Sequence, residues 1–126
     1  MDIRRADVMR YLLSLGFKPN CSGFNYLMEL IWMRTRGENI SPLSTCGYVK
    51  VGEKFDKSAA TVDKSIQNAV SGAWTRGDIE KLYLQFGNTV SSEEGKPGNL
   101  QFISQACENL RCFHGINRER GYERGM

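Results

Sequence analysis

The chain has 126 residues, of which 40% are hydrophobic and 25% are charged, and its formal net charge is +3. This length and composition are typical of one globular domain with a real core, and no apolar run is long enough to span a membrane. The weakly basic charge is compatible with a nucleic-acid partner but does not by itself indicate one, and the N-terminus lacks the apolar segment of a secretion signal. We therefore expect a cytoplasmic protein without a membrane partner.

Two helices are predicted in the first part of the chain. Apolar residues at three- and four-residue spacing indicate a helix over residues 6–15, which Gly16 ends. After a turn-forming stretch, the same spacing indicates a second helix over residues 24–36. Residues 38–47 contain a proline and several small polar side chains, so they are predicted to form a loop.

The rest of the chain is also predicted to be helical. Short helices over residues 48–55 and 79–86 flank a longer one over residues 58–74, for which Ser58 is the predicted N-cap. A polar loop then leads to Asn99, which is predicted to cap a last helix ending near residue 113. We find no convincing strand, so the sequence predicts an all-α domain of about six helices over residues 1–114, followed by a flexible arginine-containing tail over residues 115–126.

A short helix, a tight turn and a longer helix follow one another in the middle of the chain. Val51 and Phe55 are predicted to point inward from the short helix, and Gly52 is the small residue that lets the next helix cross closely. Asp56 and Lys57 form the turn together with the capping serine. This is the pattern of a central helix-turn-helix, although a two-helix hairpin in any bundle shows much of it.

The longer helix is predicted to expose a row of hydrogen-bonding side chains opposite its apolar face. Amides, hydroxyls and lysine are the groups that read base edges in the major groove, so the predicted base contacts are Thr61, Lys64, Gln67 and Asn68. The predicted contacts to DNA phosphates are Lys54, Lys57, Ser58 and Lys96. The alternative for the polar row is a solvated face with no ligand.

Signatures of enzymes, cofactors and metals are weak. There is no phosphate-binding loop and no dinucleotide fingerprint, so we expect neither an enzyme nor a cofactor. Four cysteines are present, and we expect reduced, mostly buried thiols, with a redox pair as one alternative. The other alternative is zinc bound by Cys107, Cys112 and His114, but positions five apart on a helix do not share a face well, so no metal is expected.

Several stretches of the sequence are similar to one known family. KFDKSAATVDKSIQNAVSGAWTRGDIEKL, KPGNLQFI and LGFKPNCSGFNYLMELI together resemble the C-terminal DNA-binding effector domain of the stage 0 sporulation protein A family, over about residues 6–113. Where the best-known members have arginines on the recognition helix, this chain has Thr61, Lys64 and Gln67. It also has Asp63 in place of glutamate and Asn68 in place of histidine.

The resemblance implies a function as well as a fold. It implies six helices with the helix-turn-helix in the middle, binding to a short box in promoter duplex DNA, contact with the RNA polymerase sigma factor, and a homodimer on DNA. We therefore expect a sequence-specific DNA-binding transcriptional regulator. Because Met1 directly precedes the first predicted helix, we also expect that it lacks a receiver domain. The alternative is an interaction protein of the same fold that does not bind DNA and acts on a regulator or on the sigma factor.

Overall fold

A computed structural model describes residues 3–90, 93 and 95–124, with only the backbone described for residue 88 and for residues 114–124. This part of the chain folds into six α-helices and contains no strand, so the predicted all-α fold with a central helix-turn-helix is confirmed. The helices are α1 (Arg5–Ser14), α2 (Ser22–Thr35), α3 (Tyr48–Phe55), α4 (Ala59–Arg76), α5 (Ile79–Phe86) and α6 (Asn99–Arg124). Within the described ranges, none of these helices combines the length and the apolar character that crossing a bilayer requires.

The central helices begin at residues whose side chains satisfy free backbone amides. Ser58 precedes α4, and its Oγ accepts a hydrogen bond from the backbone N–H of Thr61 at 3.1 Å, which confirms the predicted N-cap. Asp78 precedes α5 in the same way, with its Oδ1 accepting from the backbone N–H of Lys81 at 3.1 Å. These two caps fix the first turns of α4 and α5, and therefore the sequence positions that each helix exposes.

Helix α2 lies at the centre of the core and packs directly on α4. Its Leu27, Leu30 and Ile31 are fully buried. A Cβ atom added at Gly23 would overlap the backbone carbonyl oxygen of Ser65 and would lie 2.7 Å from the Cβ atom of Ala69. The missing side chain therefore allows the two helix backbones to approach closely, which fixes how α4 is presented to solvent.

An aromatic cluster holds the C-terminal end of α4. The rings of Phe86 and Phe102 stack with centroids 4.6 Å apart. The partly buried Trp74 meets both of them edge-on, at 5.8 and 6.1 Å. Trp74 therefore anchors α4 to α5 and α6, as expected for a large aromatic residue close to the end of a helix.

The structure differs from the sequence prediction at three places. The predicted loop over residues 38–47 contains a π-helical turn, Leu43–Gly47, directly before α3. Asn99 is the first residue of α6 and not its cap, since the backbone N–H of Phe102 donates to the carbonyl oxygen of Gly98 at 2.9 Å, and the side-chain amide of Asn99 donates to neighbouring helices. Helix α6 also continues to Arg124, past the end predicted near residue 113. That residues 115–126 act as a flexible tail stays a prediction.

Candidate nucleic-acid interface

The turn between α3 and α4 is held by backbone contacts. Asp56 has a left-handed backbone with φ of 57°, and the backbone N–H of Lys57 donates to the carbonyl oxygen of Gly52 at 2.8 Å. A Cβ atom at Gly52 would overlap the carbonyl oxygen of Lys57. The glycine therefore makes room for the turn itself and not, as the sequence predicts, for the crossing of the two helices. With only three residues between them, α3 and α4 have little freedom to change their angle.

Helix α4 has a fully buried face and a polar face. Val62, Ile66 and Val70 have no exposed surface. The predicted base-contacting side chains lie on the opposite side, where they form what we call the outer row: Thr61, Lys64, Gln67 and Asn68. All members of the outer row are exposed except Gln67, which is half-buried. The structure thus brings the four predicted residues together on one accessible surface.

The members of the outer row differ in how far their polar groups are already used. Thr61 Oγ1 accepts from the hydroxyl of Ser58 at 2.9 Å, so this side chain takes part in the helix cap. Gln67 Nε2 donates to Asp63 Oδ2 at 3.1 Å. In the described part of the chain, Lys64 and Asn68 make no side-chain hydrogen bond or ion pair, so their polar ends are free for a ligand.

The predicted phosphate-contacting lysines fall into two groups. Lys57 is exposed in the turn, and Lys96 is half-buried beside Asp63 and Gln67, where it lines a cavity at the edge of the outer row. Within the described ranges neither forms an ion pair. Lys54 differs, because its ammonium group is hydrogen-bonded to the carboxylate of Glu29. A phosphate would have to compete with that carboxylate for Lys54.

Glu29 is the centre of a buried ion-pair cluster that joins three helices. Its side chain on α2 is only 4% exposed and accepts from Lys54 of α3 and from Arg5 Nε of α1, the latter at 2.8 Å. Burial alone would raise the pKa of Glu29, but the hydrogen bonds and charges of Arg5 and Lys54 outweigh that effect and hold the pKa below its ordinary value. The cluster therefore keeps Glu29 ionised and ties α3, the first helix of the helix-turn-helix, to the core.

A second polar cluster supports the outer row from behind. Asn99 Nδ2 donates to Asp63 Oδ1 at 3.0 Å and to the Tyr48 hydroxyl at 2.9 Å. Burial raises the pKa of Tyr48 to about 12, so its hydroxyl stays protonated at neutral pH. Sequence patterns do not reveal this cluster, because its members lie on α3, α4 and α6 and share no local spacing.

Two further cations lie at the edge of the outer row and were not among the residues predicted from the sequence. Lys18, from the loop between α1 and α2, and Arg76, from the end of α4, line one cavity together with Asn68. This cavity borders the outer row on the side of the α1–α2 loop. Both residues lie in stretches on which the family resemblance rests, and their positive charge is the signal that could have drawn attention to them.

The cysteines give no sign of a shared ligand. Cys107 is buried, and burial raises the pKa of its thiol to about 11, whereas Cys112 is exposed. All four cysteines are free thiols, but only Cys107 is buried, so the expectation that they are mostly buried is wrong. Among the residues whose side chains are described, no group of three or more His, Cys, Asp and Glu side chains is placed to hold a metal ion. The zinc alternative also involved His114, whose side chain lies outside the described residues.

Comparison with known protein families shows what the chain is similar to. Residues 8–110 match the model of the family described as sporulation initiation factor Spo0A C terminal. The matched range begins inside α1 and ends inside α6, so it contains the whole helix-turn-helix and every residue of the outer row.

Proposed function

Since the chain belongs to the Spo0A C-terminal family, we propose that it is a sequence-specific transcriptional regulator that reads duplex DNA with α4. The family consists of sporulation-related DNA-binding regulatory domains and is not a family of enzymes. The family supports DNA as a ligand, while the choice of particular bases by this chain is our proposal.

The outer row is the observation that carries this proposal. It combines one cation, two amides and one hydroxyl on an accessible helix face whose opposite side is locked into the core. Amides and lysine hydrogen-bond to the major-groove edges of adenine and guanine, and a threonine hydroxyl contacts several edges. A face that only keeps a helix soluble is usually richer in Glu and Lys.

In this proposal the side chains divide into two roles. Lys64, Gln67 and Asn68 contact base edges, with Thr61 at the start of the row. Lys57 and Ser58 from the turn and Lys96 from the loop before α6 contact phosphates, which hold the helix in register without reading sequence. Lys54 stays a predicted phosphate contact, although its bond to Glu29 competes with that role.

Two further partners are proposed from the family resemblance. They are the RNA polymerase sigma factor and a second copy of the chain on the same DNA. DNA is the ligand that the family itself supports, so the DNA contact is the first property to test.

A second candidate function is an interaction protein that does not bind DNA. Exposed apolar residues on α5 favour it, since Leu84 is 86% exposed and Tyr83 is 49% exposed. The outer row also contains no arginine and lies next to the carboxylate of Asp63, which weakens attraction to phosphates.

Selection from random duplex DNA, followed by titration of the enriched sequence, tests the proposal. We expect one enriched motif and a binding constant that falls steeply with salt, as phosphate contacts require. A matched control is Lys81→Ala, because this lysine on α5 lies outside the outer row and donates to the carbonyl oxygen of Ser14. The interaction protein becomes the better explanation if no motif is enriched and random duplexes do not bind at low salt.

A further inference from the structure

A glutamine on a reading helix can present two opposite chemistries. Its carbonyl oxygen accepts hydrogen bonds, whereas its NH₂ group donates them. In the major groove, adenine and cytosine offer an exocyclic amine, while guanine and thymine offer only acceptors. An unrestrained glutamine can rotate to suit either class, so its discrimination depends on what fixes the amide.

In this structure the amide of Gln67 has a fixed partner. Nε2 donates to Asp63 Oδ2 at 3.1 Å, one helical turn earlier on α4. An ionised carboxylate only accepts hydrogen bonds, so it selects the NH₂ end of the amide and occupies one of its two N–H donors. Oε1 is left for a ligand, together with the second N–H. Within the described ranges, Oε1 accepts no hydrogen bond.

Asp63 is itself held in place by groups that do not belong to α4. Its Oδ1 accepts from Asn99 Nδ2 of α6 at 3.0 Å, and the same Asn99 group donates to the hydroxyl of Tyr48 on α3 at 2.9 Å. Asp63 is half-buried, and Tyr48 is only 5% exposed. The carboxylate is therefore held by a side chain of α6 that is itself bonded to α3, which limits the rotation of Asp63 away from Gln67.

We propose that Asp63 is a positioning residue that presents Gln67 to DNA as a hydrogen-bond acceptor. The fixed Oε1 can only accept a hydrogen bond, so a base with an exocyclic amine, adenine or cytosine, is preferred at the position facing residue 67 over guanine or thymine. This inference rests on the proposed DNA-binding function and adds the chemical class of base that one member of the outer row reads. Asp63 itself need not contact the DNA.

The Asp63→Asn variant tests the inference with little change in shape. An asparagine at this position can donate as well as accept, so it no longer selects one end of the Gln67 amide. Binding is measured for duplexes in which each position of the preferred site carries each of the four base pairs in turn. At one position, we expect the affinity ratio that favours adenine and cytosine over guanine and thymine to fall about 5- to 20-fold in the variant. Preferences at the other positions should stay as in the wild type.

A double-mutant cycle with Gln67→Ala separates positioning from other effects. Gln67→Ala should lose the same preference, and adding Asp63→Asn to it should change the preference no further. Removing a carboxylate near DNA also strengthens binding to all sequences, so the ratio between bases is the decisive quantity. If Asp63→Asn strengthens all sequences alike and leaves the ratio unchanged, Asp63 only repels phosphates and the inference is wrong.

A measurement without DNA distinguishes failure of this inference from failure of the proposed function. In ¹⁵N-labelled protein, the side-chain NH₂ protons of Gln67 should exchange slowly with water and shift on Asp63→Asn, while those of the exposed Asn68 should not. Fast exchange of the Gln67 protons in the wild type would overturn the inference and leave DNA binding intact. If the Gln67 protons exchange slowly but no duplex is preferred, the proposed function is contradicted, and so is the base-reading role of Gln67.

Discussion

Replacing Lys54 by alanine should destabilise the fold more than it weakens DNA binding. The side chain of Lys54 is 45% exposed, but its ammonium group serves a Glu29 side chain that is only 4% exposed. Leaving a buried charge without compensation costs about 3–5 kcal/mol. Here Arg5 stays within 2.8 Å of the carboxylate, so we expect a smaller loss, about 1–2 kcal/mol of the free energy of unfolding. In a domain of this size, that corresponds to a melting temperature lower by about 3–10 °C.

The effect of Lys54→Ala should depend on pH in a defined direction. The pKa of Glu29 is lower in the folded protein than its ordinary value of 4.5. A lowered folded pKa means that the ionised carboxylate contributes its full stability above the ordinary pKa, and that this contribution is lost as the pH falls through the folded pKa. The stability difference between wild type and Lys54→Ala should therefore be constant from about pH 7 to 5 and shrink below about pH 4.

Lys57→Ala is the matched comparison, because Lys57 lies three residues later and has no ion pair among the described residues. Urea unfolding followed by circular dichroism gives the stability of both variants, and fluorescence anisotropy at several salt concentrations gives the salt dependence of DNA binding. Lys57→Ala should keep wild-type stability and reduce the slope of log K against log salt by about 0.9, while Lys54→Ala should reduce it much less. The reasoning is refuted if Lys54→Ala keeps wild-type stability and instead reduces the slope of log K against log salt by about one unit.

Three other predictions follow from the same geometry. Lys64→Ala and Gln67→Ala should each cost about 1–3 kcal/mol of binding free energy on the preferred duplex and relax the choice at one base position. If both variants bind like the wild type in the same titration, the outer row does not read bases. Gly52→Ala should lower the free energy of unfolding by about 1–3 kcal/mol, because the added methyl group overlaps the carbonyl oxygen of Lys57. A urea midpoint equal to that of the wild type would contradict this prediction. Deleting residues 115–126 should leave the melting temperature within about 3 °C, whereas a deletion variant without cooperative melting would show that this segment supports the fold.

The helix-turn-helix could be predicted from sequence because its signals are local. The N-cap of Ser58, the apolar spacing of Val62, Ile66 and Val70, and the turn before them all act within a few residues. The same spacing places the four residues of the outer row on the opposite face, so their position there was also predictable, whereas the partial burial of Gln67 was not. The family resemblance rests partly on this segment and partly on stretches before and after it, and the match over residues 8–110 confirms it.

Other features had no local signal. The π-helical turn at Leu43–Gly47 lies in a stretch whose proline and small polar residues indicate a loop. Packing determines its backbone, because Gly47 is buried against the carbonyl oxygen of Ile40. The cavity shared by Lys18, Asn68 and Arg76 forms only because the α1–α2 loop lies beside α4. Residues this far apart in sequence become neighbours only through the tertiary fold.

The sequence by itself determined which residues of this protein are exposed on α4, because helical periodicity and capping act over one or two turns. Only the tertiary structure decided what those side chains and their neighbours are free to do. Lys54 looks equivalent to Lys57 in sequence, but folding brings it to Glu29, 25 positions away, and gives it a structural partner. Gln67 looks like an unrestricted amide, but Asp63 fixes its Nε2 and Asn99, 36 positions from Asp63, fixes that aspartate. The physical reason is that charge and hydrogen-bond partners are chosen by distance in space, and in a helical domain those distances are set by how the helices pack.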